Sequence, residues 1–192
     1  MSRISHHLDS KLSRELESDE KLIWRDQPRP TFFDGATTAT FFFGIPWTAF
    51  AIFWTCGAAG FEIPDFSEGL QITMLFPLFG LPFIVIGLFM LAAPVLHYHK
   101  MSTTLYAVTT KRVLILENNA KTQYTSIEPH RICNLTRREA DNGYGDLVIS
   151  HEFSVDSDGD KQTKEIGFFN IAHVREVEKI VKKLIEKTAD TE

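Results

Sequence analysis

Histidines at close spacing are the residues of this chain that most resemble a metal site. His97 and His99 alternate, and His6 and His7 are adjacent near the start of the sequence. Two alternating histidines supply only two of the four ligands that a zinc site requires, and no cysteine or carboxylate lies at ligand spacing from them. We therefore expect no metal ion and assign these histidines an interfacial role.

Two further groups could do chemistry on paper. The run Asp156-Ser-Asp-Gly-Asp160 resembles a calcium loop, but an EF-hand loop needs glycine sixth and glutamate twelfth, whereas Gly159 is fourth and Gly167 is twelfth. A hairpin turn is the better interpretation. His130, Cys133 and Asp141 contain the residue types of a nucleophilic site, but no motif organises them. The sequence therefore predicts no catalytic residue, no cofactor and no enzyme.

Basic residues in the second half of the chain are the candidate binding residues. The set comprises Lys111, Arg112, Arg131, Arg137 and Arg138. Near a membrane, attraction to anionic lipid is worth about 1 kcal/mol per basic residue. For Arg112 we favour the alternative in which it ends a strand and pairs with an acidic side chain. Charge over this half is nearly balanced, which argues against a nucleic-acid partner.

Two long charge-free runs set the architecture. Of the 192 residues, residues 35–61 and 69–96 carry no Asp, Glu, Lys or Arg. About 20 apolar residues are enough for a helix to cross a bilayer. The sequence therefore predicts two transmembrane helices, at about 36–59 and 71–96, and excludes a soluble single-domain protein. Gly44 with Thr48, and Ala36 with Thr40, form small-residue pairs that allow close helix packing.

The basic residues around these runs predict an orientation. Six precede the first run, and Lys100, Lys111 and Arg112 follow the second, whereas the loop at 61–70 contains only acidic charges. Basic flanks stay in the cytoplasm. We expect a multi-pass protein of the inner membrane, with both termini cytoplasmic and the short loop outside.

The segment at 1–35 is expected to form a cytoplasmic arm. Leu8, Leu12 and Leu16 recur every four residues, which predicts a short amphipathic helix. This helix either lies on the membrane or, as we favour, packs on the C-terminal domain. Membrane-interface anchors are expected at Trp24, Arg25 and Arg29, because tryptophan and basic side chains favour the headgroup level.

The segment at 97–192 predicts an antiparallel β domain closed by a helix. Apolar alternation and turn residues indicate strands near 104–108, 113–116, 121–127, 132–136, 146–155 and 161–169. Asn170 is expected to cap a C-terminal amphipathic helix, and Asp146 to bond nearby backbone within a turn. The expected core contains Leu105, Val113, Ile115, Val148, Val177, Val181 and Leu184.

Four motifs resemble the membrane-attached bacterial pleckstrin-homology (PH) domains. They are Tyr106-Ala-Val-Thr-Thr-Lys-Arg112 followed by an apolar run, Asn142-Gly-Tyr-Gly-Asp146, Phe169-Asn170-Ile-Ala-His-Val, and Glu20-Lys-Leu-Ile-Trp24-Arg-Asp-Gln-Pro28 before the first apolar run. The resemblance implies a membrane α+β protein, in which a transmembrane hairpin precedes a PH-like antiparallel barrel or sandwich capped by a helix. That fold has seven strands, one more than the sequence pattern predicts.

The expected function is that of a non-enzymatic, membrane-anchored PH-like module. It would serve as a scaffold for protein interaction or self-assembly, with the lipid bilayer, further copies of itself and an unidentified membrane or cytoplasmic protein as partners. Two alternatives remain open: a sensor that binds lipid headgroups, and an accessory subunit of a membrane enzyme or channel.

Overall fold

A computed structural model describes residues 5–61, 75–132, 134–155 and 161–189. The chain divides into two compact units. One unit contains residues 31–99, and the other combines residues 1–30 with residues 100–192. The segment before the apolar hairpin and the segment after it therefore fold together.

Two long apolar helices make up most of the first unit. Helix α2 spans Gly35–Ala58 and helix α3 begins at Leu75 and continues to Ser102. The Asp34 side chain caps α2 by accepting the Thr37 amide hydrogen at 2.7 Å. Both helices are long and apolar enough to cross a membrane. The predicted hairpin of apolar helices is thus present, and its second helix extends beyond the predicted end at 96.

Small residues line the contact between α2 and α3. Gly44, Thr48 and Ala51 are buried on α2, and a methyl group on Gly87 or Gly80 would overlap the hydroxyl of Thr48 or Thr55. The Thr48 and Thr55 hydroxyls donate to carbonyls of their own helix, so no polar group opposes the close approach. The predicted Gly44–Thr48 pair lies in this contact, whereas Ala36 is exposed.

Four antiparallel strands form the first sheet of the second unit. Strand β1 (Leu22–Asp26) pairs with β2 (Thr104–Thr109), which pairs with β3 (Val113–Asn118), which pairs with β4 (Thr122–Ile127). Strand β1 precedes the hairpin in sequence and β2 follows it, so the hairpin is an insertion between two neighbouring strands. The sequence pattern did not indicate β1, because only five residues separate Lys21 from Gln27 and charge interrupts them.

A second antiparallel sheet and the last helix follow. Strands β5 (Thr136–Glu139), β6 (Tyr144–Val155) and β7 (Lys161–Ala172) form a sheet in sequence order, and helix α4 covers Val174–Ala189. A 3-10 turn at Pro129–Arg131 joins the sheets. Among the described strands no ladder connects the two sheets, so they do not close into a barrel.

The main core lies between the two sheets and α4. Phe168 is fully buried at its centre, with the rings of Trp24 and Tyr106 at 5.3 and 4.9 Å from it. The seven residues predicted for the core are all buried. Leu105 and Val148 differ from the prediction in their location, because neither belongs to this main core.

Leu105 belongs to a second apolar cluster on the outer face of the first sheet. There Leu8 and Leu12 of helix α1 (His6–Glu15) pack against side chains of β2 and β3, and both leucines are almost completely buried. The structure confirms the favoured interpretation that the arm packs on the C-terminal part of the chain. Leucine every fourth residue gives one narrow apolar face, which this sheet covers.

Three local expectations were wrong. Of the residues predicted to form a strand at 132–136, Ile132, Asn134 and Leu135 lie outside any strand, and Thr136 is the first residue of β5; Ile132 follows the 3-10 turn and is buried in the core. Asn170 does not cap a helix: it lies within β7, two residues before its end, with a positive φ of 51°, and α4 begins at Val174. Asp146 bonds no nearby backbone; it accepts the Asn170 amide hydrogen across the sheet at 2.8 Å. The turn predicted at 156–160 and Cys133 lie outside the described residues.

Candidate functional site

The turn between β2 and β3 holds the two best placed candidate residues, Lys111 and Arg112. Thr109 ends β2 and is completely buried. Its hydroxyl donates to Glu20 Oε1 at 2.6 Å and accepts the Arg112 amide hydrogen at 3.0 Å. A buried hydroxyl that both donates and accepts a hydrogen bond stabilises the conformation of the turn. Thr109 therefore positions Arg112 beside Glu20.

Arg112 and Glu20 form a buried, two-point ion pair. The guanidinium donates from Nε and Nη2 to the two carboxylate oxygens of Glu20, both at 3.0 Å, and from Nη2 to the Glu15 carbonyl at 3.2 Å. The Glu20 side chain is fully buried. Burial alone would raise its pKa, but hydrogen bonds from Arg112 and Thr109 outweigh burial and lower the pKa to about 2. Glu20 is therefore ionised at neutral pH, and its two carboxylate oxygens occupy the Nε and Nη2 donors of Arg112.

Lys111 is exposed and is also ion-paired. Its amine lies 2.8 Å from Glu17 Oε2 and 2.7 Å from Asp19 Oδ1. These hydrogen bonds raise the pKa of Lys111, with Asp19 contributing more than Glu17. Exposed pairs of this kind are weak, so Lys111 can exchange one carboxylate for another anion more easily than Arg112 can.

A small polar cavity of about 260 Å³ opens beside this turn. Its lining combines Glu17, Lys111, Arg112, Ser126, Glu128, Pro129 and His130. His130 and Glu128 are both mostly exposed, with 3.4 Å between Nε2 and Oε2. The mixed charge can accommodate a small polar group but does not select an anion. Among the described residues no group of three metal-ligating side chains converges, here or elsewhere.

The other candidate cations lie on different elements. Arg131 is exposed in the 3-10 turn. Arg137, on β5, pairs with Glu178 of α4 at 3.0 Å, and Arg138 makes two bonds to Glu165 of β7 at 2.8 and 2.6 Å. The structure therefore divides the predicted cations among the β2–β3 turn, the 3-10 turn that joins the sheets and the edge strand β5.

The predicted membrane anchors have partners within their own unit. Trp24 packs in the main core, and Arg25 pairs with Asp9 of α1. The Arg29 guanidinium lies 5.1 Å from the Tyr144 ring centre, and its amide donates to the Asn170 carbonyl at 2.9 Å. Membrane contact by these residues stays a prediction. Of the predicted histidines, His97 lies 3.8 Å from Asp34 in the hairpin unit, and His6 and His7 are exposed at the start of α1.

Sequence reasoning missed Thr109 and Glu20 as members of this site. A usable signal was present, because the acidic run Glu15, Glu17, Asp19 and Glu20 precedes the only Lys-Arg pair of the chain. Opposite charge suggests contact, but nothing in the spacing indicated that residues so distant in sequence meet.

Comparisons with family models, with curated proteins and with solved structures return no match to this chain.

Proposed function

We propose that this chain is a membrane-anchored, non-enzymatic interaction module of the bacterial PH-like kind. Its two apolar helices hold the folded unit at the inner face of the membrane, where it binds another protein or further copies of itself. One observation carries the proposal: an apolar hairpin is inserted between β1 and β2, which are paired neighbours in one sheet. The folded unit is thus joined to the hairpin by two chain connections.

Exposed aromatic side chains on the helices support the membrane location. Phe42, Phe50, Phe53, Phe76 and Phe89 are each more than 60% exposed within the chain. A soluble protein buries such helices, and contiguous apolar surface of this extent marks contact with lipid or protein. Only a small part of each helix is covered by its neighbour, so the bilayer is the natural environment for the rest.

Strand arrangement supports the PH-like identity. The resemblance implies seven strands and a closing helix, and β1 provides the seventh strand that the sequence pattern lacked. A four-stranded sheet, a three-stranded sheet and a C-terminal helix agree with the antiparallel β domain and closing helix that the resemblance implies. In this proposal the hairpin is an insertion within the PH-like domain and does not precede it.

Ion pairing of the candidate cations favours protein contact over lipid recognition. Arg112 is held by a buried carboxylate, and Lys111, Arg137 and Arg138 each lie beside an acidic side chain. In a site for anionic lipid headgroups, these cations would instead contact an anion that comes from outside the chain. The β2–β3 turn also lies at the end of the first sheet opposite to the end from which the chain leaves for the hairpin.

The proposal is tested by the mass of the full chain in mild detergents and nanodiscs. Native mass spectrometry should give multiples of 21.9 kDa, because confinement to a membrane lets weak contacts between copies suffice. A strictly monomeric species in every condition would contradict self-assembly. Flotation with vesicles that contain or lack anionic lipid, compared for the wild type and Lys111→Ala, tests the headgroup alternative, which requires a lipid preference that the variant loses.

A further inference from the structure

Strand β5 is an edge strand whose outer side is open. It pairs with β6 from Thr136 opposite Val148 to Glu139 opposite Gly145, and no described strand pairs with its other side. All four of its residues are exposed. An uncovered edge presents backbone donors and acceptors to another strand.

The hydrogen-bond pattern identifies which backbone groups face outward. The Ala140 amide donates to the Tyr144 carbonyl at 2.9 Å. Because bonded and non-bonded pairs alternate in an antiparallel ladder, Arg138 and Thr136 bond to β6. The backbone groups of Arg137 and Glu139 therefore point away from β6, toward the open side.

From this alternation we infer that β5 pairs antiparallel with β5 of a second copy about a two-fold axis at Arg138. Two outward residues then face each other: Arg137 lies opposite Glu139 of the partner copy, and symmetry repeats the pair. Within one chain Arg137 lies 3.5 Å from Glu139 and 3.0 Å from Glu178, so the pairs between copies add to existing ion pairs. Opposite charges that face each other across strands are stabilising. The two Arg138 side chains meet at the axis, and each is already neutralised by its two bonds to Glu165.

Charge on an edge strand usually prevents pairing, but this edge is self-complementary. A run of like charges would repel a second copy. In the order Arg-Arg-Glu, by contrast, an antiparallel second copy centred on the middle residue places each outer arginine opposite a glutamate. Four residues bury too little surface for a stable dimer in solution. The inference therefore rests on the proposed function, because membrane anchoring supplies the high effective concentration that a short interface needs.

Disulfide cross-linking of the full chain in native membranes tests the register. The two copies of residue 138 would form a non-hydrogen-bonded pair with Cα atoms about 4.5 Å apart, which a disulfide can bridge. With Cys56 and Cys133 replaced by serine, Arg138→Cys should give a cross-linked dimer under mild oxidation. Gln123→Cys, exposed on the edge of the other sheet, is the matched control and should not.

Charge reversal separates pairing from mere loss of structure. In the Arg138→Cys background, Glu139→Arg places arginine opposite arginine, and Arg137→Glu places glutamate opposite glutamate, so each variant alone should cross-link severalfold less. Differently tagged copies of the two variants, expressed together, restore opposite charges at both positions and should cross-link to each other in preference to themselves. A general loss of stability would not produce that preference.

The outcomes distinguish this inference from the proposed function. Suppose that the mass shows several copies in one assembly, but residue 138 does not cross-link or the charge-reversed copies show no preference for each other. That result overturns the β5 interface and is still consistent with self-assembly. Cross-linking at 123 in place of 138 does the same. A monomer by mass in all detergents and nanodiscs overturns both.

Discussion

At the scale of single residues, Glu20 determines how the arm joins the β domain. Its carboxylate accepts hydrogen bonds from Thr109, the last residue of β2, and from Arg112 in the turn after it, while Glu20 itself lies two residues before β1. A buried ion pair is worth less than its attraction suggests, because both charges lose water. Removing one partner is costly, because the other is left buried and unpaired.

Glu20→Gln should lower the free energy of unfolding by about 3 kcal/mol at pH 7. The pKa of Glu20 is lowered from 4.5 to about 2 in the folded chain. A lowered carboxyl pKa contributes stability that is fully present above the unfolded value, and that stability is lost as the pH falls from about 4.5 toward 2. The variant should thus lose much of the wild type's acid sensitivity in this range, as followed by thermal unfolding in detergent at a series of pH values.

Asp19→Asn is the matched control for this prediction. Asp19 accepts a hydrogen bond from Lys111 but is largely exposed, so its removal should change stability at pH 7 very little. A Glu20→Gln variant as stable as Asp19→Asn, with the acid sensitivity of the wild type, would contradict the buried pair.

At the scale of elements, the sequence predicted those helices and strands that have a regular spacing of apolar residues or a long run without charge. The two apolar helices, α1, β6 and α4 follow from spacing alone. Strand β1 could not be predicted in the same way, because its five residues are stabilised by pairing with β2 and by the contact of Trp24 with Phe168. The candidate site was predicted only in its cations, since their acidic partners come from another part of the chain.

The contact between α2 and α3 gives a prediction for Gly87. A methyl group there would overlap the Thr48 hydroxyl and lie 3.1 Å from Thr48 Cα. Because overpacking a close contact typically costs about 1–3 kcal/mol, Gly87→Ala should lower the melting temperature in detergent. Gly57→Ala is the control, since its new methyl would lie 3.9 Å from its nearest neighbours. Equal melting temperatures for the two variants would exclude this packing.

Helix α4 gives a second prediction at this scale. Val181 is completely buried in the main core, so Val181→Asp would place a charge among apolar side chains without a partner. That change should cost several kcal/mol, enough to unfold a domain of ordinary stability. Lys179→Asp, exposed on the same helix, should melt near the wild-type temperature. An unchanged melting temperature for Val181→Asp would refute the packing of α4.

At the scale of the whole molecule, the insertion of the hairpin constrains its topology. Residues 1–30 and 100–192 belong to one compact unit, in which β1 is hydrogen-bonded to β2. If the helices cross a bilayer, both ends of the hairpin must therefore emerge on the same side. Hydropathy does not provide this constraint, which comes from the pairing of two strands that are distant in sequence.

Reporter fusions give the last prediction. Basic residues flank the hairpin on both sides, whereas the segment between its helices contains only acidic charges, so the positive-inside rule predicts a cytoplasmic β domain. Alkaline phosphatase should be inactive when fused after Glu192 and active when inserted between residues 61 and 70, and green fluorescent protein should show the reverse. If the two helices span the membrane, the two fusions should report opposite sides, because the pairing of β1 with β2 excludes a single crossing. Phosphatase activity at the C-terminus would reverse the orientation, and activity at both sites would show that the helices do not form a spanning hairpin.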